Sequence, residues 1–138
     1  MAFLIEDDYK LQVRDYELDD ITGYTEAIRL QSELAAQAEM ESYLRDRYNV
    51  GIIFSKTADE RNPLIVLYMI DIALYHLFSA VASRNVPQIR MDRYDAAVAW
   101  LKMVSKGQLN PDLPVNSDAN GKRIDSIVGS NTKNGFAW

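Results

Sequence analysis

The hydrophobic pattern of the chain is dominated by one long apolar run, Leu64–Val81. Only three of its residues are plainly polar: Asp71, His76 and Ser79. The run predicts a helix over residues 64–83, and Asn62-Pro63 supplies its start, because Asn caps helices well and Pro suits the first helical position. A helix that is apolar on all sides must be covered on all sides. We therefore expect burial of this helix, partly against a second copy of the chain.

Two further long helices follow from residues that recur at helical spacing. Residues 24–48 have an apolar side whose small members permit close approach of a neighbouring helix: Tyr24, Ala27, Ile28, Leu34, Ala35 and Ala38. Residues 90–106 have a second apolar side: Tyr94, Ala97, Val98, Leu101 and Val104. Gly107 follows at the point where a helix commonly ends in a left-handed residue.

The remaining segments are expected to form only short elements of secondary structure. Residues 6–20 are expected to form one or two helical turns, with Tyr9, Val13 and Tyr16 on one face. In the loop 49–62, Gly51–Phe54 is interpreted as a short extended piece. The fold class is therefore all-α: a small bundle of about four helices over residues 1–110, with an extended carboxy-terminal tail over residues 111–138.

The tail is rich in Asn, Ser, Gly and Asp, a composition typical of weakly ordered chain. It also carries scattered apolar residues, and aromatic rings need a surface on which to be buried. We interpret five of them as anchors onto another protein: Ile124, Ile127, Val128, Phe136 and Trp138. The alternative is a mobile tail with incidental aromatics.

Charge and composition exclude several classes of protein. The 138 residues carry a net charge of −5 and include no cysteine, so disulfides, thiolate metal sites and cysteine nucleophiles are excluded. Residues 1–48 hold 12 acids and 5 bases, a balance of −7. No basic stripe of the kind used to grip DNA is present. The first residues lack a signal-peptide pattern, so we expect synthesis in the cytoplasm, and Asp71 and His76 make membrane insertion of the apolar run costly.

The search for catalytic chemistry finds little. His76 is the single histidine and lies in the apolar helix, where a structural role is expected. The acidic clusters near residues 6–8 and 15–20 lack the spacing of a calcium loop and are interpreted as a solvated face. No phosphate-binding loop, nucleophile elbow or dinucleotide motif occurs. We therefore expect neither enzyme activity nor a cofactor nor a metal site.

Two polar groups of residues have structural or interface interpretations. A carboxylate in the apolar helix needs a partner, so we hypothesise that Asp71 is clamped by Arg47 or Arg93. Glu41 and Arg45 are four residues apart and can pair. This pair is either a solvated helix end or, together with Arg47, a polar contact to another subunit.

Three blocks of sequence carry a family resemblance: Glu41–Tyr48, Asp71–Leu77 and Arg93–Gly107 with the following Leu109. In order and spacing they resemble the phage Mu-like family of small head–tail joining proteins. The resemblance covers roughly residues 5–110. It implies a mostly helical fold of about four helices and a place in the neck of a tailed phage or prophage particle.

Proteins similar to this family assemble as a ring, commonly of twelve copies, below the portal, and join the head to the tail or its stopper. The resemblance implies no catalytic residues. We therefore hypothesise a structural virion protein, a connector of the adaptor type, through which DNA passes without sequence-specific binding. The alternative is a small bacterial regulatory or adaptor protein that acts as a dimer through helix contacts.

Overall fold

The computed structural model describes residues 3–13, 26–81 and 86–117, and these form a helical bundle. Its four α-helices are α1, Glu26–Leu44; α2, Val50–Ile53; α3, Pro63–Val81; and α4, Gln88–Ser105. Two 3₁₀ helices, Glu6–Leu11 and Ala58–Glu60, complete it. The described residues contain no strand, and an isolated antiparallel bridge joins Tyr48 and Val115. The all-α class is therefore confirmed.

Helix α3 lies at the centre of the bundle and begins as the sequence predicts. The Asn62 side-chain oxygen accepts hydrogen bonds from the amides of Leu64 (2.9 Å) and Ile65 (3.2 Å), and Pro63 occupies the first helical position. Helices α1 and α4 contact α3 and each other, and the first 3₁₀ helix also contacts α3. These elements bury residues on every side of α3: Ile65, Val66, Met69, Ile70, Ile72, Ala73, Leu74 and Leu77.

One chain therefore covers the middle of α3 by itself, and the expectation that a second copy covers part of this helix stays a prediction. The described residues include one helical stretch, Pro63–Ala80, long and apolar enough to cross a membrane by length and composition. Half of that window is buried inside the bundle, and a single helix of this kind is weak evidence for a membrane span.

Helix α1 turns a different side toward the core from the one that its apolar residues predict. The buried residues are Arg29, Ser32, Glu33, Ala36, Met40 and Leu44. Of the predicted apolar side, Ile28 packs against the core, Ala27, Leu34, Ala35 and Ala38 are exposed, and Tyr24 lies outside the described residues. The predicted face of α1 is therefore wrong. Its last helical residue is Leu44 rather than residue 48, because a turn delivers the Tyr48 ring into the core.

Helix α4 and its end agree with the sequence pattern. Ala97, Leu101 and Val104 are buried, and Trp100 joins them by stacking at 4.9 Å on Tyr68 of α3. The Gly107 amide donates to the Val104 carbonyl (3.0 Å), and the Gln108 amide donates to the Met103 carbonyl (2.9 Å). This pair of bonds is the Schellman motif, which places Gly107 in the left-handed region, at φ 79°.

The segment Val50–Ile53 is one turn of helix and not the extended piece that its Ile-Ile-Phe run suggests. The Asn49 side-chain oxygen accepts a hydrogen bond from the Ile52 amide (3.1 Å), which satisfies one of the free amides at the start of a helix. Ile53 and Phe54 are thereby buried.

The segment after α4 returns to the end of α1 and binds there in extended form. The Asn49 amide donates to the Pro114 carbonyl (2.8 Å), and Tyr48 pairs with Val115. The Asn116 side-chain amide donates to the carbonyls of Arg45 (3.0 Å) and Asp46 (3.2 Å). Residues 114–116 therefore run antiparallel to the chain that leaves α1.

The amino-terminal segment is held by a bidentate ion pair. Arg61 donates to both oxygens of Asp8, at 2.7 and 3.0 Å, and also to the Phe3 carbonyl at 2.8 Å. Tyr9 and Val13 share a buried face, as their spacing predicts, whereas Tyr16 lies outside the described residues. This contact attaches residues 3–13 to the loop that precedes α3.

We predict that Gly107→Ala lowers the free energy of unfolding by about 1–3 kcal/mol, because a side chain at positive φ is strained and its Cβ would clash with the Arg47 guanidinium. Chemical denaturation followed by circular dichroism measures this. Gly51→Ala is the matched control: its Cβ meets only the Asn49 side-chain oxygen at 3.4 Å, and Ala favours helix, so a gain of up to about 1 kcal/mol is expected. Equal stability of the two variants would contradict the assignment of the Schellman motif.

Candidate interaction surface

Between residues 27 and 42 of α1 the fully exposed residues carry no charge, and the acids Glu39 and Glu41 are half-buried. Every exposed residue in that stretch is Ala, Leu, Gln or Ser, and Leu34 is 68 % exposed. We define the α1 outer face as these seven residues: Ala27, Leu30, Gln31, Leu34, Ala35, Ala38 and Ser42. At about 1.5 Å per residue the face is about 23 Å long. Such a surface is unusual in a chain of which 25 % is charged.

The charges missing from the outer face lie on the opposite side of α1, in the core. The Arg29 Nη1 donates to Glu33 Oε2 (2.7 Å), and their side chains are only 8 % and 5 % exposed. The Tyr9 hydroxyl donates to the same Glu33 oxygen (2.6 Å). Burial raises the pKa of the Glu33 carboxyl, although the Tyr9 hydrogen bond and the Arg29 charge oppose this. Helix α1 thus directs the Arg29–Glu33 ion pair toward the core, whereas the seven residues of its outer face are uncharged.

A second polar cluster joins α1, α3 and α4 at the edge of the core. Glu39 Oε1 lies 3.1 Å from His76 Nε2, and Glu39 Oε2 accepts a hydrogen bond from the Tyr94 hydroxyl (2.7 Å). The Tyr75 ring stacks on the Tyr94 ring at 4.1 Å. Burial, with the Glu39 hydrogen bond and charge, raises the pKa of the Tyr94 hydroxyl. Glu39 therefore links α1 to α3 through His76 and to α4 through Tyr94, and the structural role of the single histidine stays a prediction.

The predicted polar contacts lie at the carboxyl end of the outer face. Arg45 Nη2 donates to Glu41 Oε1 (3.3 Å), and Arg45 is exposed one turn beyond Ser42. Arg47 has a different role within the chain, because its Nη2 donates to Asn110 Oδ1 (3.3 Å) and its guanidinium lies against Gly107. Glu41 and Arg45 thus remain on the surface, whereas Arg47 connects α1 to the segment after α4.

The clamp that was predicted for Asp71 is not formed. Asp71 is 5 % exposed, and its Oδ1 has no hydrogen-bond partner among the described residues. No ion pair within 4 Å joins it to Arg47 or Arg93 in the described structure; Arg93 and Arg90 act on it only as nearby positive charges. Burial therefore dominates and raises the pKa of the Asp71 carboxyl to about 6.

Residues 3–13, 26–81 and 86–117 contain no group of three or more His, Asp or Glu side chains that could hold a metal ion. A cleft of about 270 Å³ lies between the loop before α3 and residues 112–114. Of its two cationic wall residues, Lys56 and Arg61, the second is paired with Asp8. The predicted anchors all lie outside the described residues: Ile124, Ile127, Val128, Phe136 and Trp138.

Comparison with known proteins gives one finding. The model of the family described as "Bacteriophage Mu, Gp36" matches residues 4–128. Neither the curated proteins nor the solved structures include a significant match to the chain. The matched range continues past Pro114 and includes Ile124, Ile127 and Val128, whereas Phe136 and Trp138 lie beyond it.

We predict that Asp71→Asn raises the free energy of unfolding at pH 7 by about 1–3 kcal/mol. The carboxyl ionises near pH 3.8 in the unfolded chain but only at about 6 in the fold, so the ionised group opposes folding above that range. The free energy of unfolding should therefore fall between about pH 4 and 6 in the native chain, and this slope should be lost in the variant.

Denaturation curves at pH 4, 5, 6 and 7 measure both effects. Asp95→Asn, an exposed position on α4, is the matched control and should change stability little. A less stable Asp71→Asn protein at pH 7 would instead support a stabilising clamp.

Proposed function

The chain belongs to the bacteriophage Mu Gp36 family and is thus a tailed-phage protein, and we propose that it is a head–tail connector of the adaptor type. In this proposal it is a structural protein of the virion neck and has no catalytic activity. Copies of the chain form a ring, of twelve subunits as a working number, between the portal protein and the tail or its stopper.

The observation that carries this proposal is the uncharged α1 outer face. A ring is built from heterologous contacts, in which one surface of a subunit binds a different surface of the next. Such a contact needs an exposed patch with few charges, because the buried centre of an interface is depleted of charged residues. The α1 outer face meets this requirement, and Glu41 and Arg45 provide a polar rim at one end.

The acidity of the chain supports the same proposal. The first 48 residues carry a balance of −7, and a negative surface repels DNA phosphates. A ring with such a surface would let DNA pass through its channel without binding it. The carboxyl end of α4 carries only two exposed bases, Lys102 and Lys106, which are too few to form a basic stripe for DNA.

We predict that Leu34→Glu leaves the subunit folded but prevents heads and tails from joining. Leu34 is exposed, so the stability of the subunit should change by no more than about 0.5 kcal/mol. A charge at the centre of the proposed contact would be buried without a partner in the ring. Electron microscopy of particles from a phage carrying the variant would then show separate heads and tails.

Ala99→Glu is the control, because Ala99 is exposed on α4 among the charges Asp92, Asp95 and Lys102, and normal particles are expected. Normally joined particles with Leu34→Glu would reject the α1 outer face as a ring contact. A native mass of two subunits, with the chain absent from purified particles, would reject the connector and support the dimeric regulator.

A further inference from the structure

We infer that the α1 outer face binds residues 118–138 of the neighbouring copy of the chain. This inference rests on the ring proposed above and names the segment that occupies the contact. We call residues 118–138 the C-terminal segment. Its position, length and composition point to this occupant.

The size of the outer face favours a single segment over a globular surface. A face about 23 Å long on a helix about 10 Å wide has a footprint on the order of 200–300 Å². A stable contact between two globular proteins buries about 800 Å² on each partner. The face is therefore too small to hold two subunits together by itself, but it matches one chain segment lying along a helix.

The C-terminal segment begins at the carboxyl end of this face. Asn116 donates to the carbonyls of Arg45 and Asp46, and residues 114–116 run antiparallel to residues 47–49. The described chain thus reaches Ser117 beside the last turn of α1. In a ring, every copy has the start of its C-terminal segment at this position, beside the last turn of its own α1.

The length of the C-terminal segment indicates whether it binds α1 of its own chain or α1 of the neighbouring copy. About seven extended residues would cover the face of the same chain, so Ile127, Val128, Phe136 and Trp138 would pass beyond Ala27. A described body of this size is about 35 Å across, which about ten extended residues span. On the neighbour, a path of about 35 Å followed by the 23 Å face takes about 17 fully extended residues, so the segment is long enough to reach and cover the face. A path that is less than fully extended places Phe136 and Trp138 on it, where Ala and Leu side chains leave room for aromatic rings.

The charges of the two regions support binding of the C-terminal segment to α1. The C-terminal segment carries the bases Lys122, Arg123 and Lys133 and the acids Asp118 and Asp125, a balance of +1. The first 48 residues, which include the whole of α1, carry a balance of −7. Attraction between these regions favours association of the segment with the α1 surface, and the uncharged face itself presents no charge that would have to be desolvated.

Disulfide trapping tests the inference, since the chain has no cysteine of its own. Phage particles are assembled with the full-length double variant Ala38→Cys/Ala137→Cys, purified, oxidised and analysed on non-reducing denaturing gels. Ala38 is an exposed residue of the outer face, and Ala137 lies between the two aromatic rings. We expect a ladder of linked subunits, at least about tenfold stronger than in the control Ala99→Cys/Ala137→Cys.

Four results would overturn the inference: a disulfide within one chain, dimers formed by Ala38→Cys alone, a ladder of equal strength in the control, or no cross-link at all. The first would assign the segment to its own α1, and the second would assign the face to a symmetric α1 contact. Absence of the wild-type chain from purified particles would instead reject the connector proposal. Failure of the inference and failure of the proposed function are thus separate outcomes.

Discussion

The structure depends on covering α3, a helix that is apolar around its whole circumference. Exposing such a helix to water would cost about 25 cal/mol for each Å² of apolar surface. Helices α1 and α4 pack against it from different sides, and the 3₁₀ helix Glu6–Leu11 covers a further part. The bidentate Asp8–Arg61 pair holds that 3₁₀ helix in place through the loop before α3. The remaining elements are thus arranged by the need to enclose one helix within a single small chain.

Local signals in the sequence predict the helices that meet this need, because their determinants lie within a few residues. The cap at Asn62-Pro63 and the left-handed Gly107 involve hydrogen bonds over at most five residues, so the pattern specifies them directly. The end of α1 at Leu44 could not be predicted in this way. It depends on the pairing of Tyr48 with Val115, which is distant in sequence, and on Asn49 as the cap of α2.

The rotation of α1 is the part of the candidate site that sequence reasoning missed. Counting apolar residues assigns Ala27, Leu34, Ala35 and Ala38 to the core, whereas Arg29 and Glu33 occupy it in the structure. That burial is tolerated because the two charges pair with each other and because Tyr9 donates to Glu33. The one available signal was the i, i+4 spacing of Arg29 and Glu33, which is far commoner on solvated helix faces.

Side-chain packing also explains why α1 turns a different side toward the core from the one that its apolar residues predict. Ala27, Ala35 and Ala38 are too small to fill the space beside α3, whereas Met40 and Leu44 reach into it and are fully buried. Rotating α1 about its own axis until the predicted apolar side faced the core would expose Met40 and Leu44 and leave cavities beside the alanines. The isolated subunit therefore gains its best core only by leaving an uncharged face in water. In the proposed ring, a segment of another subunit covers that face and resolves this conflict, so the packing of the core and the position of the proposed contact surface would have the same physical cause.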